Sequence, residues 1–96
     1  MYILVTYDVE TTTPQGQKRL RQVAKLCKNY GLRVQNSVFE CEVTEAQYVQ
    51  LKDSLATIID STSDSIRFYY LNKKHNNRVV TIGKKTSYDI DAPLIV

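Results

Sequence analysis

Met1-Tyr2-Ile3-Leu4-Val5-Thr6-Tyr7-Asp8 opens the chain. The residues before Asp8 are all apolar, aromatic or β-branched, the composition of a strand packed on a largely buried pleated surface. Asp8 then ends the run. A carboxylate that approaches an apolar core loses hydration and needs a cation, hydrogen bonds or a proton in exchange. Two readings of Asp8 follow. It ends the strand and accepts backbone hydrogen bonds in the next turn, as Asp commonly does, or it holds a metal ion.

Outward from this strand the chain alternates cleanly between elements. Glu10 to Gly16 is a polar loop whose Thr13-Pro14 pair suits an N-cap followed by proline in the first helical turn. Leu20, Val23, Ala24, Cys27 and Tyr30 recur at helical spacing and predict a helix to about Tyr30, with Gly31 in the left-handed position that ends it. The β-rich segment Leu32 to Val43 is interrupted by Gln35-Asn36-Ser37, which predicts a short strand near Arg33 to Gln35 and a longer one from Ser37 to Val43. Thr44-Glu45-Ala46-Gln47 reads as a capping box, opening a second helix to about Ile59 with Tyr48, Leu51, Leu55, Ile58 and Ile59 as its stripe. Asp60 to Asp64 is a Ser/Thr/Asp loop. Ile66, Phe68 and Tyr70 then alternate with Arg67, Tyr69 and Leu71 in a half-buried strand. Lys73 to Asn77 is a basic turn, Val79 to Ile82 is a further strand, and Leu94-Ile95-Val96 is a late apolar patch.

The order β-α-β-β-α-β plus an extra C-terminal strand defines the fold class. It is α+β and ferredoxin-like, an antiparallel sheet with both helices on one face. The expected division is a domain over 1–83 and a C-terminal tail over 84–96 that pairs with a neighbour's sheet edge or frays. The other sheet face is left open. Both sets of side chains on the Ile66–Leu71 strand are too apolar to be wholly wetted, so a second subunit is expected to cover it. A chain of 96 residues also buries only a modest core, which favours a site built at the interface of a homodimer.

The net charge of +3 is mild, but its distribution is uneven. Lys18, Arg19, Arg21, Lys25, Lys28 and Arg33 fall in one stretch without an acid, and Arg67, Lys73, Lys74, Arg78, Lys84 and Lys85 fall in another. Glu40, Glu42, Glu45, Asp53, Asp60 and Asp64 crowd the middle. Such segregation makes either a solvated surface of uneven charge or a basic surface for a polyanion such as nucleic acid. Cys27 and Cys41 lack metal-ligand spacing and read as reduced packing residues, and His75 as a solvated loop residue. The apolar start is too short for a signal peptide and no stretch approaches membrane-spanning length, so a cytoplasmic protein with no membrane partner is expected.

Tyr7-Asp8, Arg19-Leu20-Arg21 and the stretch Tyr30-Gly31-Leu32-Arg33-Val34-Gln35-Asn36-Ser37-Val38-Phe39-Glu40 together resemble the small CRISPR-associated Cas-two proteins. The resemblance covers essentially the whole chain. It implies a ferredoxin-like homodimer that acts in spacer acquisition beside the Cas-one integrase. It also implies metal-dependent nuclease activity on RNA or duplex DNA, together with a non-catalytic role in binding the duplex. Carried onto this chain, the metal ligand falls on Asp8 and the nucleic-acid-binding arginines on Arg19, Arg21 and Arg33, with Phe39 as the aromatic after the turn. Ser37 contacts either phosphate or the turn backbone. Read from burial tendencies alone, Phe39 belongs to the core.

One carboxylate is too little for Mg²⁺, which takes six oxygen ligands and keeps several waters. A two-fold dimer brings Asp8 from both subunits together, and Mg²⁺, or Mn²⁺ in its place, would offset their repulsion. A nuclease of this kind and a non-catalytic duplex-DNA-binding scaffold of the integration complex are the two functional expectations. A regulatory domain of the ACT type shares the fold but not the basic segregation, and the aromatic strand signature of an RNA-recognition module is absent.

Overall fold

The computed structural model describes residues 1–71 and 79–84. Over these residues the chain runs β1 (Tyr2–Asp8), α1 (Pro14–Lys28), β2 (Gly31–Gln35), β3 (Val38–Glu42), α2 (Glu45–Ile58), β4 (Ser65–Tyr70) and β5 (Val79–Gly83). The strands form one sheet in the order β2-β3-β1-β4-β5, and every pairing is antiparallel. This is the ferredoxin-like arrangement expected, with β5 added beside β4. The expected basic turn, His75 and the apolar end Leu94-Ile95-Val96 lie outside the described residues.

The helices begin where local chemistry dictates. Thr13 Oγ1 accepts from the Gly16 amide at 3.0 Å, and Pro14, which has no N–H to satisfy, occupies the first turn. At α2 the capping box is complete: Thr44 Oγ1 accepts from the Gln47 amide at 3.1 Å, and the Thr44 amide donates to Gln47 Oε1 at 2.9 Å. The core lies between the helices and one sheet face. Ile3, Val5, Phe39, Cys41, Ile66 and Phe68 meet Val23, Cys27, Leu51 and Leu55 there. The Tyr48 ring stands edge-on to Phe68 and to Tyr70, with centroids 5.5 Å apart in each case. Burial pushes the thiols of Cys27 and Cys41 up to about 12 and about 11, so both are packing residues and poor nucleophiles.

Gly31 corrects one expectation. It is the first residue of β2 and its φ is not positive; Asn29, in the right-handed region, caps α1 instead. Gly31 is required for space. A Cβ there would strike the carbonyl oxygen of Glu40 and approach Cys41 Sγ to 2.6 Å, so a side chain would push β2 off β3. The left-handed glycine among the described residues is Gly83, at φ 90°.

Candidate metal and nucleic-acid site

The register of the sheet decides where Asp8 points. Side chains alternate along β1: Ile3, Val5 and Tyr7 are buried toward the helices, whereas Tyr2 and Asp8 are exposed and Leu4 and Thr6 half-buried on the open face. Asp8 lies opposite Ser65, Thr6 opposite Arg67 and Val38, and Leu4 opposite Tyr69 and Glu40. The open face therefore carries Leu4, Thr6, Val38, Arg67, Tyr69 and Thr81, with Asp8 at one margin. Arg67 and Tyr69 also lean together, with 3.5 Å between Nη1 and the hydroxyl. These two residues did not stand out as site candidates in the sequence. The period-2 alternation that separates them from Ile66 and Phe68 was the signal for their face.

Among the described residues no hydrogen bond or ion pair reaches the Asp8 carboxylate. The turn-accepting role that its position suggested is taken by other acids. Glu10 Oε1 accepts from the Thr12 amide at 2.8 Å, and Asp60 Oδ1 from the Thr62 amide at 2.9 Å. The Thr62 hydroxyl, which donates to Asp60 Oδ1 at 2.6 Å, and the Thr62 amide hold the Asp60 carboxyl below its ordinary value, and the Thr12 amide does the same for Glu10. Asp8 is a solvent-facing oxygen donor on a face otherwise half-apolar. That suits a hard cation, but the described residues contain no cluster of three potential ligands around it. Within one protomer the donor set is incomplete.

Two of the residues carried over by resemblance have other occupations. Arg19 is ion-paired within the fold. Its Nε donates to Asp64 Oδ2 at 2.8 Å and its Nη2 reaches Oδ1 at 3.5 Å, with the Arg19 side chain 18% exposed and Asp64 at 0%. Asp64 is the buried acid that the Ser/Thr/Asp composition of its loop concealed. Phe39 is fully buried, stacked on Tyr7 at 6.2 Å between centroids, and offers no face to a nucleobase. The Arg33 guanidinium lies 5.2 Å from its ring centroid. Burial pushes the Tyr7 phenol up and the nearby Arg33 offsets part of that rise. The Tyr7 hydroxyl donates to the carbonyl of Asn36 at 3.2 Å, and the Tyr7 amide to the carbonyl of Ser37 at 3.1 Å. Ser37 thus holds the β2–β3 turn through its backbone.

Arg21 and Arg33 are exposed. Arg21 belongs to a stripe of exposed bases, Lys18, Arg21, Lys25 and Lys28, spaced so that they follow one side of α1 away from Val23 and Cys27. Arg33 projects on the helix side of β2, opposite Phe39 in register. The structure therefore separates the expected site into two. Asp8 occupies the open face, and the basic residues occupy the helix side.

A ferredoxin-like domain with a bare carboxylate on its open sheet face and a basic stripe on its first helix is the class of protein that these features define. Residues 1–79 match the family described as CRISPR associated protein Cas2, and the chain belongs to that family. It is 52% identical over 96 residues to the CRISPR-associated endoribonuclease Cas2 1 of Moorella thermoacetica, covering 100% of both chains. It is also 52% identical over 95 residues to the CRISPR-associated endonuclease Cas2 of Halalkalibacterium halodurans, covering 99% of each. A crystal structure of Streptococcus pyogenes Cas2 at pH 6.5 superposes with a TM-score of 0.72 at 65% identity, over 77% of this chain and 89% of that one. No helix among the described residues is long and apolar enough to cross a membrane.

Proposed function

We propose that the protein is a divalent-metal-dependent endonuclease of CRISPR immunity that works as a homodimer, with Asp8 of each copy contributing to one Mg²⁺ or Mn²⁺ site. The observation that carries this reading is the Asp8 carboxylate, exposed on the open sheet face and bound to nothing else among the described residues. The names of the relatives as endonuclease and endoribonuclease support the class of reaction. A second copy laid on the half-apolar open face would cover Leu4, Val38 and Tyr69 and supply the missing carboxylate. A cation held there would add positive charge beside a scissile phosphate and acidify a bound water. Asp8 aims its oxygens, the β1–β4 pairing fixes their height on the face, and Arg67, opposite Thr6 two residues along the same face, adds a cationic fork on that side. Labelled duplex DNA and single-stranded RNA are the substrates to compare. Cutting of one or both is expected with Mg²⁺ or Mn²⁺ and arrest with EDTA; cutting that persists in EDTA would sink the metal reading.

The basic stripe on α1 favours a second, compatible role as a duplex-binding scaffold for a CRISPR integrase. Lys18, Arg21, Lys25 and Lys28 span about 15 Å along the helix at its rise per residue, enough to track several phosphates. Reversing Lys18, Arg21 and Lys25 to Glu is expected to weaken duplex binding. The slope of log affinity against log salt should become shallower by about one unit for each phosphate no longer neutralised. An unchanged slope would remove α1 from the DNA surface.

A further inference from the structure

We propose that Asp64 is a positioning residue for Asp8: with Arg19 it forms a buried clamp that holds the chain just beyond the end of β1 and so fixes the direction in which Asp8 projects. The inference rests on the reading of Asp8 as a metal ligand. The Asp8 side chain makes no hydrogen bond or ion pair of its own among the described residues, so its aim is set by its backbone. The last backbone pairing of β1 is Asp8 with Ser65, the residue next to Asp64. Two residues beyond Asp8, the Glu10 amide donates to Asp64 Oδ1 at 2.9 Å. The other oxygen, Oδ2, accepts from Arg19 Nε at 2.8 Å and from the Asp60 amide at 2.9 Å.

The same residue acts through its backbone. The Asp64 amide donates to the carbonyl of Asp60 at 2.8 Å, and its carbonyl accepts from the Lys84 amide at 2.6 Å, just after β5. Glu10 is also confined from the helix side, where a Cβ on Gly16 would collide with its carbonyl oxygen. Four parts of the chain thus converge on one carboxylate and its peptide units: the β1 exit, α1, the loop before β4 and the β5 exit. A loop of this length could satisfy its amides with water. A buried carboxylate repays its desolvation only when both oxygens are fully partnered, and here they are. A clamp at this place matters because ligands that must meet across two copies tolerate little angular error. Groups that support a metal ligand from behind commonly govern affinity.

Asp64→Asn tests this, because Asn keeps the shape and one acceptor but loses the charge and the second acceptor oxygen. Two quantities are measured in wild type, Asp64→Asn, Asp8→Ala and the core control Val23→Ala. These are amide hydrogen exchange at Glu10 relative to Val5, and Mn²⁺ binding by electron paramagnetic resonance. In Asp64→Asn the Glu10 amide is expected to exchange about tenfold faster relative to Val5, the scale of one buried hydrogen bond. Mn²⁺ affinity is expected to fall by about tenfold or more. Val23→Ala should lower the melting temperature yet leave both readouts in place. Unchanged Glu10 exchange and Mn²⁺ affinity in Asp64→Asn would overturn the proposal, as would the same loss of affinity in Val23→Ala. If Asp8→Ala binds Mn²⁺ as tightly as wild type, the metal reading of Asp8 fails, and the Glu10 amide alone decides whether Asp64 holds the strand end. Should Asp64→Asn not fold, Arg19→Lys, which keeps the charge and loses the fork, carries the same measurements.

Discussion

Asp8→Ala is expected to lower metal-dependent cleavage by about 10²-fold or more, since a bound cation supplies several kcal/mol of transition-state stabilisation and each 1.4 kcal/mol is a factor of ten. Nothing among the described residues depends on this carboxylate for its own hydrogen bonds, so the melting temperature should not move. Duplex binding should not move either, because the exposed bases of α1 lie on the other side of the sheet from Asp8. In the proposed dimer without metal, the two Asp8 carboxylates would repel, so removing them is expected to leave that dimer at least as stable as wild type. The decisive comparison is steady-state cleavage by wild type and mutant beside a thermal melt of each. Equal cleavage by both folded proteins would take Asp8 out of the chemistry.

Asp64→Ala should have the larger effect on the fold. It strips partners from two backbone amides and from the Arg19 guanidinium. Loss of about 3 kcal/mol is expected for a fully enclosed acceptor of this kind, which for a domain of this size lowers the melting temperature by on the order of 15 °C. The same residue is expected to make the protein sensitive to acid. Desolvation pushes the Asp64 carboxyl up. The hydrogen bonds from Arg19, Asp60 and Glu10 and the charge of Arg19 outweigh it and hold the carboxyl below its ordinary value of 3.8. A carboxyl depressed on folding adds stability above its unfolded value, and that stability is lost as the pH falls through the folded one. Urea midpoints should therefore drop below about pH 4 in the wild type, and less steeply in Asp64→Ala. Parallel acid profiles for the two proteins would assign the sensitivity to other carboxyls.

The fold was legible because its signals are local. Thr13-Pro14 and Thr44 with Gln47 mark the helix starts, Asn36 falls at the turn between β2 and β3, and alternation from Ile66 to Leu71 separates the faces of β4. Asp8 was visible for the same reason, as an acid closing an apolar strand. Asp64 was not, since the partners that bury it lie 45 and 54 residues away in sequence, at Arg19 and Glu10, and its neighbours Ser61, Thr62 and Ser63 have the composition of a wet loop. The ion pair of Arg19 was hidden for the converse reason. A base in a basic stretch looks free until the acid that meets it is placed. Gly31 shows a further limit: glycine after a helix suggests a cap, and only the nearness of β3 reveals that space was the requirement.

The placement of Asp8 and of the α1 bases on opposite sides of the sheet has a consequence for how the family can diverge. On the proposed function, a single substitution at the strand end would silence cutting without disturbing a duplex-gripping surface on α1, and erosion of the helical stripe would leave the carboxylate intact. Selection can act on the two properties independently. On that reading, descendants of one ancestral domain would persist as cutters, as grips or as both, with nothing in the shared backbone to tell them apart.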